Sequence, residues 1–348
     1  MIYVHIPFCR SFCSYCSFYS STKTREIPGV LDCISMEWKR DRELWLNIFR
    51  SAELSAGHTL YFGGGTPTVC TARELSALIT LLREDMQQAG LEIAELTVEA
   101  NPGDLTPEYC QAMLESGVNR LSIGVQSFHD EDLKAMRRRH NGRQAEDSAR
   151  LARRAGFANI SLDLMFGFPG LTAPMWKETL AHAIALRPEH ISAYQLSLEP
   201  SSPWGKRGVL PPEEACAIQY AMLQEILHHA GYIQYEVSSF CLPGKESLHN
   251  SRYWIRRPYA GLGPSAHSFN GKDRYANVAD LRKYTEGIRR NEPARNYDRL
   301  TARDVHNEWV MLSLRTGKGL SLQEMEEREG RHAAKDFLKQ ITPLLERG

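Results

Sequence analysis

Strand-like and helix-like segments alternate through the first two hundred residues, and this alternation limits the fold more than any other feature of the sequence. The β-type runs are 2–6, 59–62, 95–99, 120–125, 160–166 and 190–198. Helical patterns lie between them, near 30–50, 71–89, 107–116, 143–155 and 174–187. Strands that are each followed by a helix form a parallel sheet, because parallel neighbours need a crossover connection. The sequence predicts an α/β fold of six βα units, arranged either as a partial (β/α)6 TIM-like barrel or as a doubly wound sheet.

The chain divides into three regions after this alternation is taken into account. Its 348 residues exceed the ~250 to 300 at which a single core usually stops growing. We predict an α/β core over 1–200, an extension over 201–272 and a small helical domain over 273–348. Residues 201–212 are rich in Ser, Pro and Gly and are predicted to form a linker loop.

The charge balance and the cysteine pattern exclude several classes of protein. Lys plus Arg and Asp plus Glu both total 42, so the formal net charge is zero, and no nucleic-acid partner is predicted. The N-terminus lacks the features of a secretory signal. The most apolar run, 75–82, is far too short to cross a membrane, although a peripheral membrane contact stays open. The eight cysteines show no disulfide framework. These features predict a cytoplasmic protein.

Unusual residues follow five of the six predicted strands. They are Cys9 and its successors, 63–67 (GGGTP), 99–102 (EANP), 126–127 (QS) and 167–170 (GFPG). Active sites of parallel α/β proteins form at the carboxyl ends of the strands. We therefore expect these segments to meet at one site.

Three cysteines stand close together directly after the first strand. Cys9, Cys13 and Cys16 form C-x3-C-x2-C. An iron–sulfur cluster usually takes four cysteines, so three predict a cluster with one iron open to another ligand. A zinc site with His5 as the fourth ligand is the alternative. The other five cysteines are expected to pack as small buried hydrophobes.

These cysteines, with the aromatic Tyr15 before the last of them, resemble the radical S-adenosylmethionine (SAM) superfamily. The similarity extends through four segments: 3–9 (YVHIPFC), 61–68 (YFGGGTPT), 122–128 (SIGVQSF) and 163–170 (DLMFGFPG). Together they are similar to the branch that contains oxygen-independent coproporphyrinogen III oxidases and HemW haem chaperones. Of the two folds left open above, the resemblance implies the partial barrel.

The resemblance also implies the cofactors and the residues that bind them. SAM would chelate the open iron of a [4Fe–4S] cluster held by Cys9, Cys13 and Cys16. The SAM-binding positions would be Tyr3, Tyr15, Gly64, Gly65, Thr66, Glu99, Gln126, Arg138 and Asp163. Arg138 is suited to pair with a carboxylate, and glycine lets the backbone approach a ligand.

Two positions separate the chaperones from the oxidases. The oxidases carry a further cysteine two residues after the third, where this chain has Phe18. The run 249–254 matches HNxxYW, which is typical of the HemW branch. Both features favour a haem chaperone that delivers haem to an acceptor protein. The alternative is a radical enzyme that decarboxylates a tetrapyrrole.

The HNxxYW run supplies the candidate haem-binding residues. His249, Asn250, Tyr253 and Trp254 offer ring stacking and an imidazole ligand. The competing interpretation is that they tie down a loop, and His267 is a weaker candidate. Relatives usually continue into a winged-helix ending, so the last region is expected to be a shortened form of it.

Overall fold

The computed structural model describes residues 1–51, 57–200, 202–208 and 213–347. The strands are β1 Ile2–Ile6, β2 His58–Gly64, β3 Ile93–Ala100, β4 Arg120–Gln126, β5 Ile160–Phe166, β6 His190–Gln195, β7 Ile233–Glu236, β8 Ser239–Cys241, β9 Ala260–Leu262, β10 His267–Phe269, β11 Asp273–Asn277 and β12 Arg295–Arg299. The helices are α1 Ile27–Ser51, α2 Ala72–Gln88, α3 Pro107–Glu115, α4 Asp130–Ala135, α5 Gly142–Ala155, α6 Ala173–Ala185, α7 Glu213–His229, α8 Leu248–Trp254, α9 Leu281–Arg289, α10 Ala302–Ser313, α11 Leu322–Glu329 and α12 Arg331–Leu345.

The first six strands form the parallel sheet that the alternation predicts. They pair in chain order, β1 to β6, within a nine-stranded sheet of order β7-β8-β6-β5-β4-β3-β2-β1-β9. Among the described residues, β1 and β6 do not pair with each other. Instead β9 adds in parallel beside β1, and β8 adds antiparallel beside β6. The α/β fold with a partial (β/α)6 barrel is therefore confirmed.

The two faces of the sheet differ in chemistry. On β4, Leu121, Ile123 and Val125 are buried in the main hydrophobic core, whereas the alternate residues Arg120 and Ser122 face the interior of the barrel, where they line a cavity. Side chains alternate between the faces of a strand. The apolar face is covered by the helices, and the barrel interior is left polar.

The helices begin where local chemistry favours them. The predicted helix 71–89 is α2, whose N-cap Thr71 forms a capping box with Glu74. The predicted helix 143–155 is α5, which has the same arrangement between Asn141 and Gln144. No described helix has the combined length and hydrophobicity that a bilayer span requires.

The last third of the chain joins the barrel through a buried carboxylate. Glu37 of α1 is fully buried and accepts hydrogen bonds from the Tyr284 hydroxyl at 2.7 Å, the Asn277 amide at 2.8 Å and the Gly263 N–H at 2.9 Å. Arg295 pairs with it at 3.1 Å. Four segments distant in sequence are thus fixed to one helix.

The region 273–348 is not wholly helical, because β11 and β12 form an antiparallel sheet with β10. Tyr275 and Tyr284 belong to the main core. A separate small core begins at α10 and is built from Trp309, Met325 and Ala334. The predicted linker 201–212 lies partly outside the described residues, which there cover only 202–208 and include a 3₁₀ turn at Gly205–Arg207.

Candidate functional site

A cavity of about 810 Å³ opens at the carboxyl ends of β1 to β6. Its wall includes these residues that the sequence predicted: Cys9, Cys13, Tyr15, Cys16, Gly64, Gly65, Thr66, Glu99, Gln126, Arg138, Asp163 and Asn250. Four of the five segments that follow the strands therefore meet at one site, as the strand-end argument expects. The fifth, 167–170, does not line the cavity; the Gly167 N–H donates to the Gln219 side chain and Phe168 is buried.

The loop that carries the three cysteines is fixed at both ends and in its middle. The N–H of Cys9 donates to the Ser21 carbonyl at 3.0 Å, and the N–H of Ser21 donates to the Pro7 carbonyl at 2.7 Å. The N–H of Ser14 reaches the Met136 carbonyl at 3.0 Å. These bonds hold the loop across the mouth of the barrel, so the thiols face the cavity.

The three cysteine residues all line the cavity. Cys9 Sγ lies 3.6 Å from Thr66 Oγ1, and Cys13 Sγ lies 3.6 Å from a guanidinium nitrogen of Arg138. Burial raises the pKa of Cys16 to about 11. In the described parts of the chain, no three His, Cys, Asp or Glu side chains surround a space for a single metal ion. An iron–sulfur cluster binds each thiolate through a different iron, and three cysteines that line one cavity suit it.

The glycines after β2 are required by packing inside the protein. Gly64 has φ +110°, and a Cβ there would lie 2.6 Å from the His5 ring. A Cβ on Gly65 would lie 2.7 Å from the Phe8 carbonyl oxygen. The N–H groups of Gly65 and Thr66 donate to the carbonyls of Ile6 and Phe8. Glycine thus lets this loop lie directly against β1 and the cysteine loop.

Glu99, the next-to-last residue of β3, has its carboxylate held on the cavity wall. Tyr61 donates its hydroxyl hydrogen to Oε1 at 2.8 Å, and the Gly64 N–H reaches Oε2 at 3.2 Å. Burial, reinforced by the charge of Asp163, raises the pKa of Glu99 to about 7. The pKa stays high although both hydrogen bonds lower it.

Asp163 supplies a second carboxylate from β5. The Ser122 hydroxyl lies 3.1 and 3.2 Å from its two oxygens, and burial raises its pKa to about 6. Glu99 and Asp163 therefore form a pair of buried acids that repel each other. A positively charged ligand would stabilise both in their ionised forms.

Two arginines bring buried donors to the same site. Arg120 is only 1% exposed, and its Nε and Nη1 have no partner among the described residues. Arg138 contacts Cys13 and donates to the Gly124 carbonyl, but its Nε has no such partner. Unpaired buried donors are costly, and a carboxylate would satisfy them. The site thus offers both signs of charge, as a ligand with an amino, a sulfonium and a carboxylate group requires.

The backbone turns sharply where Gln126 enters the cavity wall. Gln126 has φ +67°, which is rare for a residue with a side chain. The register between β4 and β5 also shifts between Gly124 and Gln126. Such an irregularity re-aims a side chain at a strand end, and here it places the amide on the wall.

Several wall residues were not predicted. They are Arg120, Ser122, Ser192, Tyr194, Tyr61 and the exposed aromatics Phe12 and Phe18. The strand residues could have been found from period two: in β4 the positions 120, 122 and 126 are polar, while 121, 123 and 125 are apolar.

The HNxxYW run forms α8, which fills the barrel interior below the cavity. Glu95 of β3 accepts the N–H groups of Leu248 at 2.8 Å and His249 at 3.0 Å. His249 is 1% exposed, and its Nδ1 and Nε2 lie 2.8 Å from Thr59 Oγ1 and 3.0 Å from the Tyr253 hydroxyl. Burial lowers its pKa well below the ordinary value.

The four side chains of this run lie in three different environments. Of them, Asn250 is on the cavity wall, whereas His249 and Tyr253 contact each other inside the barrel. Trp254 lies beneath the Arg315 guanidinium, 5.5 Å from its ring centre. They do not present one common face to a flat ligand, and their binding of haem stays a prediction.

Tyr3 and His267 also lie outside the cavity wall that the described residues form. The Tyr3 hydroxyl lies 3.0 Å from His5 Nδ1, inside the barrel. His267 begins β10 and is exposed. Direct contact of Tyr3 with SAM stays a prediction, and the geometry gives Tyr3 the role of supporting His5.

Comparison with known proteins identifies the superfamily and the branch. The model of the Radical SAM superfamily matches residues 3–183. The protein named heme chaperone HemW of Lactococcus lactis is 35% identical over 99% of this chain and 88% of its own length. The one of Bacillus subtilis is 34% identical over 99% and 91%.

A solved structure matches the whole chain. Coproporphyrinogen III oxidase (HemN) from Escherichia coli superposes with a TM-score of 0.84 at 25% identity, covering 100% of this chain and 83% of its own. The sequence identities to HemW proteins are higher and extend over nearly the full chain. This chain belongs to the radical SAM superfamily, in the family of the HemW haem chaperones.

Proposed function

We propose that this protein is a haem chaperone, which binds haem reversibly and passes it to an acceptor protein. The observation that carries the proposal is the full-length similarity to proteins named heme chaperone HemW. It agrees with position 18, where the oxidase motif has a fourth cysteine and this chain has a Phe that is 70% exposed.

We further propose that the site holds a [4Fe–4S] cluster on Cys9, Cys13 and Cys16, with SAM beside it. The fit is supported by the three cysteines that line one cavity, the acidic pair Glu99 and Asp163, and the unpaired donor of Arg138. When bound, the cluster supplies an exchangeable iron position and one-electron chemistry. Gln126, Gly64, Gly65, Thr66 and Tyr15 would complete the walls around these ligands.

The residues of this chain do three things for such ligands. Glu99, held by Tyr61 and the Gly64 N–H, presents a fixed acceptor to a cationic group. Arg138 connects the cysteine loop to β4, since it contacts both Cys13 and the Gly124 carbonyl. Ordered side chains of this kind lower the cost of binding, because they need no rearrangement.

The second candidate is a radical enzyme that acts on a tetrapyrrole. The full-chain likeness to the HemN oxidase favours it, as does the presence on the cavity wall of every predicted SAM-site residue except Tyr3. In that case the product would include 5′-deoxyadenosine and a decarboxylated tetrapyrrole.

The protein's surroundings are also part of the proposal. We place it in the cytoplasm, where its free cysteines stay reduced. Its partner would be a haem-accepting protein, with no nucleic acid involved, and a peripheral membrane contact is compatible with a haem acceptor in a membrane.

One anaerobic experiment separates the two functions. The protein is reconstituted with iron and sulfide and then mixed with SAM and haem in turn, while absorbance is followed. A chaperone shows a haem difference spectrum and transfers haem to apomyoglobin without forming 5′-deoxyadenosine. Formation of 5′-deoxyadenosine with loss of CO₂ from coproporphyrinogen, and no haem spectrum, would establish the enzyme.

A further inference from the structure

We propose that haem binds at the aromatic mouth of the cavity, on Phe12 and Phe18, with a propionate on Arg137. This inference rests on the proposed haem-chaperone function and names the site for it. It assigns no haem ligand to His249.

The mouth of the cavity is apolar and exposed, unlike its polar interior. The exposed fractions are 51% for Phe12, 70% for Phe18 and 45% for Tyr194, and all three belong to the same cavity wall. Large aromatic side chains that stay exposed together mark a binding surface. Phe12 and Phe18 lie on the cysteine loop, so this loop carries the apolar surface of the mouth, whereas Tyr194 comes from β6 and lies near Ser192 and Asp163.

The charge at this mouth complements a dianionic ring. Arg137 is exposed, lies on the wall and has no carboxylate within 4.0 Å among the residues that the structure describes. By contrast, Arg10 and Arg139 both pair with Asp104, at 3.5 and 2.9 Å. A free guanidinium that lines the same cavity as exposed aromatic rings suits a flat apolar molecule that carries carboxylates at its edge. Haem has this chemistry.

The size of the cavity allows two ligands. At about 810 Å³ it is near the upper end of ligand pockets, which span ~300 to 1,000 Å³. The polar interior at Glu99, Asp163 and Arg138 fits SAM, and the mouth is left for a second ligand of different polarity. A ligand at the mouth is also accessible to an acceptor protein.

His249 is badly placed to ligate haem. Both of its ring nitrogens already have partners at 2.8 and 3.0 Å, and its side chain is buried beneath Tyr61. Ligation would break one of these bonds and displace α8 from the barrel. Stacking and ion pairing at the mouth need no such change. Haem that is held in this way can dissociate and pass to an acceptor.

The test is a haem titration of the reconstituted protein and four variants. We expect the double variant Phe12→Ser/Phe18→Ser to bind haem at least about tenfold more weakly, since the apolar contact of both rings with haem is lost. Tyr297→Ser removes an equally exposed aromatic from β12 (67% exposed) and should leave haem affinity unchanged. Iron and sulfide content and the melting temperature show whether the cluster and fold survive.

The other two variants test the charge and the competing site. Arg137→Glu should weaken binding of haem but not of haem dimethyl ester, which lacks the free carboxylates. His249→Gln should keep wild-type haem affinity. The proposal is overturned if haem affinity is unchanged in the Phe double variant, or if His249→Gln abolishes haem binding in a protein that still melts cooperatively.

A different result of the same titration would contradict the proposed function itself. If the wild-type protein gives no haem difference spectrum, the chaperone function itself is wrong. If the wild type binds haem and the variant Phe12→Ser/Phe18→Ser binds it with the same affinity, the function stands and the site assignment is wrong.

Discussion

The imidazole of His249 lies against the phenol ring of Tyr61, with ring centroids 4.9 Å apart, and Tyr61 in turn donates a hydrogen bond to Glu99. The helix that fills the barrel therefore supports the wall of the cavity from below. A change at His249 should reach Glu99 through Tyr61, although His249 itself does not line the cavity. The aromatic mouth at Phe12 and Phe18 is not part of this contact.

This relationship predicts the effect of His249→Ala. The variant loses ring contact and leaves Thr59 without its partner, so we expect the free energy of unfolding to fall by about 3 kcal/mol. SAM affinity should fall several-fold, because Tyr61 no longer holds Glu99 in place. Urea unfolding and equilibrium dialysis measure the two effects. Asn250→Ala is the matched control for stability alone, since it removes a neighbouring side chain on the cavity wall, outside the interior contacts; equal loss of stability in both variants would contradict the supporting role.

Glu99 predicts how stability depends on pH in the protein without ligands. Its folded pKa of about 7 is above the unfolded value, so ionisation opposes folding at high pH and this penalty disappears as pH falls through about 7 to 4.5. Glu99→Gln should therefore be more stable than wild type by about 2 kcal/mol near pH 8, and the difference should vanish near pH 5. Thermal unfolding across this range measures it. Glu92→Gln, an exposed change, should show no such trend, and a pH-independent difference for Glu99→Gln would refute the assignment.

The same carboxylate predicts the pH dependence of SAM binding. A cationic group binds ionised Glu99 and Asp163 more tightly than the protonated forms, whose pKa values are about 7 and about 6. SAM affinity should therefore rise as pH increases from about 5.5 to 8. Isothermal titration in buffers of different ionisation enthalpy would also show proton release on binding below about pH 7. If SAM affinity does not change across this range, Glu99 and Asp163 do not bind the cationic group of SAM.

Cys13→Ala should abolish the iron–sulfur absorbance and the matching iron and sulfide content. Cys110→Ala removes a thiol that is fully buried in the main core, and it should keep the cluster while losing about 1 kcal/mol of stability. Anaerobic absorption spectra and iron analysis compare the two. A full cluster in Cys13→Ala would exclude that thiol as a ligand.

Glu37 predicts a stability effect remote from the site. Glu37→Ala leaves Arg295 and Asn277 without their buried partner, so we expect a loss of about 3 to 5 kcal/mol. Glu43→Ala, an exposed change on the same helix, should stay within about 0.5 kcal/mol. Denaturant unfolding measures both, and SAM binding by folded Glu37→Ala should be unchanged.

The βα core was accessible from the sequence because its signals are local. The strand β5 and the helix α2 each carry their own run of apolar residues, and the cysteine spacing alone located the loop. By contrast, β8, β9 and β10 are only three residues long. Such short strands leave no periodicity in the chain, and β8 and β9 also depend on pairing with the distant strands β6 and β1.

The candidate site was predictable only in part, for the same reason. Glu99 and Asp163 follow from the resemblance and from strand position. The burial of His249 did not follow from the sequence. A run of polar and aromatic residues can form an exposed loop or lie inside a polar barrel, and its composition is the same in both cases. Arg120 was missed although its alternation with Leu121 was visible, because an arginine in a strand suggests an exposed edge.

The pairing of β9 with β1 has a consequence for synthesis of the chain. The N–H of Ala260 donates to the Met1 carbonyl at 3.0 Å, so one edge of the first strand stays open until residue 260 has left the ribosome. The strand that leads into the cysteine loop is therefore made long before the segment that completes its pairing. The support of this loop from β1 is complete only after residues 260–262 have been made.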